Sequence, residues 1–235
     1  MTPPAFPALQ VDGLSKTFTL HTQNGARLPV LQGMRFSVSP GECLALSGPS
    51  GIGKSTVLRL LYGNYGAETG RMILRQDETE IDLAAAAPRE ILRLRRHTIG
   101  YVSQFLRVIP RVPTLEIVAD TLRNAGFTGD PLPPSKAMLT RLRIPERLWN
   151  LAPSTFSGGE QQRVNLARVF VHPFPVLLLD EPTASLDAAN RQTVIELIQS
   201  AWARGAAVVG IFHDLEVRDA VATRLLDMDQ FRAAA

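Results

Sequence analysis

The feature that most constrains this chain is Gly48-Pro49-Ser50-Gly51-Ile52-Gly53-Lys54-Ser55, which fits G-x-x-x-x-G-K-[ST]. A short apolar stretch at 42–47 precedes it as a predicted strand, and residues 54–62 follow as a predicted helix. An ordinary glycine-rich turn shares the composition but not this setting between strand and helix. The unit implies an α/β fold with a phosphate site. Glycines let backbone N–H groups turn inward around phosphates, and the helix N-terminus adds the positive end of its dipole. Lys54 would then reach the outer phosphates, and the Ser55 hydroxyl could ligate Mg²⁺.

The rest of the 235 residues can be arranged around that unit. Alternating residues at 9–20 and, after interruptions at Gly25 and Pro29, at 30–38 predict antiparallel strands of a small sheet. Residues 71–83 look like a hairpin, 88–96 a basic helix and 99–103 a strand. Pro110, Pro113, Pro131, Pro133, Pro134, Pro145 and Pro153 then punctuate helical stretches at 114–124 and 135–142. This predicts a helical insertion, 104–157, in a core made of 9–103 and 158–235. The core resumes with a helix at 158–171, a strand at 176–179, a helix at 188–203, a strand at 207–212 and a helix at 215–222. Strands alternating with helices imply a largely parallel sheet. Residues 1–8 read as a loose tail before a single domain, 9–235.

Composition removes several classes. With 45% apolar and 20% charged residues the chain is ordinary globular material, not collagen-like, coiled-coil or disordered. The single Cys43 excludes an intramolecular disulfide framework and reads as a small core residue in a reducing compartment. Apolar runs such as 176–179 and 206–212 fall far short of the roughly 20 residues of a spanning helix. The N-terminus lacks the basic and apolar regions of a secretory signal. The expectation is a soluble, cytoplasmic chain with no membrane insertion.

Two further segments carry chemistry. Val176-Leu177-Leu178-Leu179-Asp180-Glu181-Pro182 is an apolar run ending in two acids, as a strand buried on both faces would be. Asp180, at its carboxyl end, would hold Mg²⁺, and Glu181 would orient or deprotonate an attacking water. Such acids could equally cap a turn, a reading that the phosphate loop makes the weaker one. Ser157-Gly158-Gly159-Glu160 has the form of a capping box, so it predicts a helix start and, with two small residues, an open anion site.

Taken in order, these residues resemble the ATP-binding cassette ATPases over essentially the whole chain. Residues Gly48 to Thr56 are similar to the Walker A loop, Gln104 to the Q-loop glutamine and Ser157 to Gln161 to the signature segment. Val176 to Glu181 resembles the Walker B strand with its catalytic glutamate, His213 the switch histidine, and Ser185-Leu186-Asp187 the D-loop. Phe18 stands where the family stacks an aromatic ring on adenine. Phe156 for the usual Leu and Glu160 for the commoner Gln are departures that remove no phosphate ligand. The resemblance implies a P-loop NTPase with a RecA-like parallel core, a small antiparallel β subdomain and an inserted helical subdomain. It also implies ATP and Mg²⁺ as ligands, and a second cassette, identical or related, as partner. Ser157, Gly158, Gly159 and Glu160 of one cassette would then close on the nucleotide held by Gly48 to Thr56 of the other. Catalytic roles fall to Glu181, His213, Gln104 and Lys54, and metal ligation to Ser55, Gln104 and Asp180. A P-loop kinase acting on a small acceptor would share the first motif, but not the pairing of Ser157-Gly158-Gly159 with Glu181.

A cassette specifies an energy source, not a cargo. An ABC membrane transporter is the general expectation. Residues 20–31, 103–111 and 144–159 resemble more closely the cassettes of the phosphonate carbon–phosphorus lyase system, which implies soluble carbon–phosphorus lyase core subunits as partners. In that system alkylphosphonates pass through ribose 1-phosphonate 5-triphosphate. Net charge bears on the partner too: 25 Lys and Arg against 22 Asp and Glu leave +3, too little to imply direct binding of nucleic acid. Residues 89–111 alone hold six arginines against Glu90, a net +5, so the rest of the chain is −2. Arg107 and Arg111, just past Gln104, are the expected docking face.

Overall fold

The computed structural model describes residues 7–20, 22, 24–76, 79–104, 106 and 111–233. β1 (Leu9–Leu20) and β2 (Ala26–Val38) pair antiparallel, β3 (Cys43–Ser47) departs into a second sheet, and β4 (Thr69–Gln76) and β5 (Thr79–Asp82) complete the first in the order β2-β1-β4-β5. Pro29 does not interrupt β2 as the sequence suggested; it lies opposite Thr17 beside a register shift. β2 is an edge strand, where a missing N–H sacrifices no ladder bond.

The second sheet adds β6 (Ile99–Val102), β7 (Val176–Asp180), β8 (Ala207–Ile211) and β9 (Arg224–Asp227) in the order β6-β7-β8-β3-β9, with every pairing parallel. Its strands alternate between two cores, as a sheet buried on both faces must. Leu177 and Leu179 of β7, Val208 of β8 and Ala45 of β3 enter one core. Val176, Leu178, Val209, Leu44 and Leu46 enter the other. Cys43 is fully buried in the first, and burial, with the Glu42 charge, pushes its thiol up to about 12. It is the inert core residue expected. β9 has no counterpart in the sequence reading, because Arg-Leu-Leu-Asp shows no alternation and stands at an edge.

Helices α1 (Lys54–Leu61) and α2 (Pro88–His97) precede the helical segment, where α3 (Thr114–Asn124) packs on α4 (Leu132–Arg141). α4 begins three residues before the predicted start, at Leu132, since prolines in a first turn replace N–H groups that have no helical partner. Trp149 is 9% exposed, donates from Nε1 to Ile144 O at 3.0 Å within the segment, and belongs to the buried cluster that also holds Leu177 and Val208. α5 (Gly158–Phe170), α6 (Ala188–Ala203) and α7 (Leu215–Val221) complete the fold. Among the described residues no helix is long and apolar enough to cross a membrane.

Candidate functional site

Strand order builds the site. β6, β7, β8 and β3 are consecutive neighbours, so their carboxyl ends lie in a row, the edge at which open α/β sheets bind ligands. The residues just past those ends are Gln104, Glu181, His213 and the loop 48–53. Positions far apart in sequence are thereby brought side by side.

The loop turns on glycines held at positive φ: 138° at Gly48, 81° at Gly51 and 104° at Gly53. A Cβ on Gly53 would also stand 2.7 Å from Val30 Cγ1. Gly53→Ala is therefore expected to destabilise the fold by about 1–3 kcal/mol, lowering the melting temperature by roughly 2–4 °C per kcal/mol. An unchanged thermal melt would contradict the packing described. Lys54 Nζ donates to Gly48 O at 2.7 Å and Pro49 O at 2.9 Å, so its ammonium lies across the loop.

Asp180 is 1% exposed. Its Oδ1 accepts from Ser55 Oγ at 3.0 Å and its Oδ2 from the Tyr101 hydroxyl at 3.3 Å. Burial pushes the carboxyl up from its ordinary value, and these two hydrogen bonds pull the other way. Glu181 has φ 52°, unusual for a residue with a side chain, and its N–H donates to Ile211 O on β8 at 3.1 Å. Its carboxylate accepts from Gln104 Nε2 at 3.2 Å and lies 2.8 Å from His213 Nε2. Buried Gln162 donates to Pro182 O at 3.1 Å, tying α5 to the turn that carries Glu181.

Ser55 and Asp180, with the Gln104 amide, are hard oxygen donors. Among the described residues no group of three or more His, Cys, Asp or Glu side chains could cage a metal. A sparse oxygen set suits Mg²⁺, which keeps waters and shares phosphate oxygens instead of filling an all-protein site.

Other expected site residues lie elsewhere. Ser157 caps α5 in a complete capping box, with Ser157 N donating to Glu160 Oε2 at 3.0 Å and Glu160 N to Ser157 Oγ at 3.3 Å. The Ser157 side-chain and backbone hydrogen bonds hold Glu160 below the usual carboxylate range. A Cβ on Gly159 would meet Ser185 O at 2.9 Å, so this segment packs closely against Ser185 of its own chain. Asp187 caps α6, accepting from Asn190 N at 2.8 Å. The Phe18 ring meets Tyr65 edge-on, with centroids 5.2 Å apart, beneath Lys16 Nζ. Of the two arginines expected to dock a partner, Arg107 lies outside the described residues and Arg111 is exposed at φ 69°; elsewhere in the basic stretch, Arg95 is engaged with Tyr62 O and Asn64 Oδ1.

Tyr101, Arg59 and Gln162 escaped the sequence reading. The sequence offers no signal for them beyond the predicted helices and strand in which they lie. Tyr101 and Arg59, with Tyr62, Tyr65, Gln104 and Arg168, line a cavity of about 490 Å³ beside the acids.

Comparison with known proteins fits this geometry. A family model described as ABC transporter matches residues 31–184. The lipoprotein-releasing system ATP-binding protein LolD of Maricaulis maris is 35% identical over 216 residues, 89% of each chain. A macrolide export ATP-binding/permease protein, MacB of Brucella melitensis, is 34% identical over 224 residues; these cover 94% of this chain but only 33% of that protein. Among solved structures, a dimeric post-hydrolysis state of the ATP-binding cassette MJ0796 with ADP and Pi superposes with TM-score 0.83 at 27% identity, covering 93% of both chains.

Proposed function

The chain belongs to the ABC transporter family as an ATPase of the ATP-binding cassette type, and from that premise we propose that it is the ATP-hydrolysing unit of a membrane transporter. The observation that carries this reading is the likeness to a lipoprotein-releasing ATP-binding protein across 89% of both chains. The relatives named above are transporter proteins, so they favour a permease partner at the cytoplasmic face over the soluble carbon–phosphorus lyase subunits. The phosphonate reading keeps the support of residues 20–31, 103–111 and 144–159, part of which lies outside the described residues.

In this reading the loop from Gly48 to Thr56 holds the phosphates, with Lys54 on the outer ones. Ser55 and Asp180 would hold Mg²⁺ together with Gln104, and the ion would offset charge on the phosphate oxygens. Glu181 is the general base. Its carboxylate has one partner on each oxygen, Gln104 and His213, and each oxygen keeps a lone pair for the attacking water. Ser157, Gly158, Gly159 and Glu160 serve the nucleotide of a second cassette, a role supported by the dimeric neighbours. Phe18 would stack on adenine.

Purification of tagged protein from membranes and from cytosol decides the partner. The expected result is an integral membrane protein retained in detergent. Recovery of soluble phosphonate-enzyme subunits without detergent would overturn the transporter assignment.

A further inference from the structure

The polar contacts around Asp180 extend beyond the residues assigned above. Ser55 holds one carboxylate oxygen and Tyr101 the other. A carboxylate bonded through one oxygen can still turn about its Cβ–Cγ bond, a broad torsion. Donors on both oxygens fix its plane.

The direction of the Tyr101 bond is also fixed. An ionised carboxylate only accepts, so Tyr101 spends its single proton on Asp180. The Tyr101 ring is pinned in turn by Tyr62, with centroids 4.8 Å apart.

We propose that Tyr101 is a positioning residue that sets the orientation of the Asp180 carboxylate for Mg²⁺. The inference rests on the reading of Asp180 as a metal ligand. Outer-shell hydrogen-bond partners of metal ligands typically change metal affinity by about 10- to 100-fold. One neutral donor at 3.3 Å belongs at the low end of that range.

The test is Mn²⁺ binding to the full chain with ATP, read from the electron paramagnetic resonance signal of free Mn²⁺, beside ATP binding in EDTA. Tyr101→Phe should weaken Mn²⁺ binding about tenfold and leave ATP binding in EDTA unchanged. A merely structural role would weaken both, and that result would overturn the proposal, as would Mn²⁺ affinity within about twofold of the parent. Should Tyr101→Phe not fold, Tyr101→Leu, which also lacks the hydroxyl, decides by the same criteria. Asp180→Asn separates the two layers: if it retains Mn²⁺ the metal-ligand reading fails, whereas loss there with no effect in the Tyr101 variant defeats only the positioning role.

Discussion

Glu181→Gln leaves a protein that binds ATP within about threefold of the parent affinity and turns it over about 100- to 10,000-fold more slowly, the span that a general base commonly contributes. The prediction separates binding from chemistry because the phosphate loop lies on β3 and the acid at the end of β7, with β8 between them. The amide keeps the shape of the carboxylate and can still hydrogen-bond Gln104 and His213, so the turn at φ 52° should survive. Only the ability to take a proton from water is lost. Steady-state phosphate release beside equilibrium ATP titration checks it, and turnover within about tenfold of the parent would remove Glu181 from that role.

Lys54→Ala acts on the other side of that division. Its ammonium spans Gly48 O and Pro49 O and is the one side-chain cation supplied by the loop itself. A hydrogen bond to a charged group is worth about 1.5–3 kcal/mol, so losing the charge from the outer phosphates should raise the ATP dissociation constant by roughly 10- to 100-fold. Folding should be little affected, since the Pro49 contact is exposed and the helix keeps its apolar face of Val57, Leu58, Leu60 and Leu61. Calorimetric titration with a parallel thermal melt distinguishes the two. A dissociation constant within about threefold of the parent would mean that Lys54 does not face the phosphates.

Where periodicity or a special residue carries the signal, sequence and structure agree. The glycine loop, the capping box at Ser157 and the apolar run of β7 each dictate a local conformation through φ, hydrogen bonding or burial. Pro29 misled because a proline is a strand breaker only where its N–H is needed, and strand order, which decides that, is not local. Arg-Leu-Leu-Asp became β9 through pairing with β3, not through its own pattern. The row of Gln104, Glu181 and His213 likewise depends on β6, β7 and β8 being neighbours. A family resemblance could list these residues together; spacing alone could not. Tyr101 lay deeper still, since its significance is the geometry of one hydroxyl against a carboxylate.

Under the proposed function ATP is bound between two cassettes, the loop of one facing residues 157–160 of the other. Sedimentation of the Glu181→Gln variant with saturating ATP, and again with ADP, tests it most directly. The mass should double in ATP and stay that of a single chain in ADP; a single-chain mass in both nucleotides would contradict binding of ATP between two cassettes.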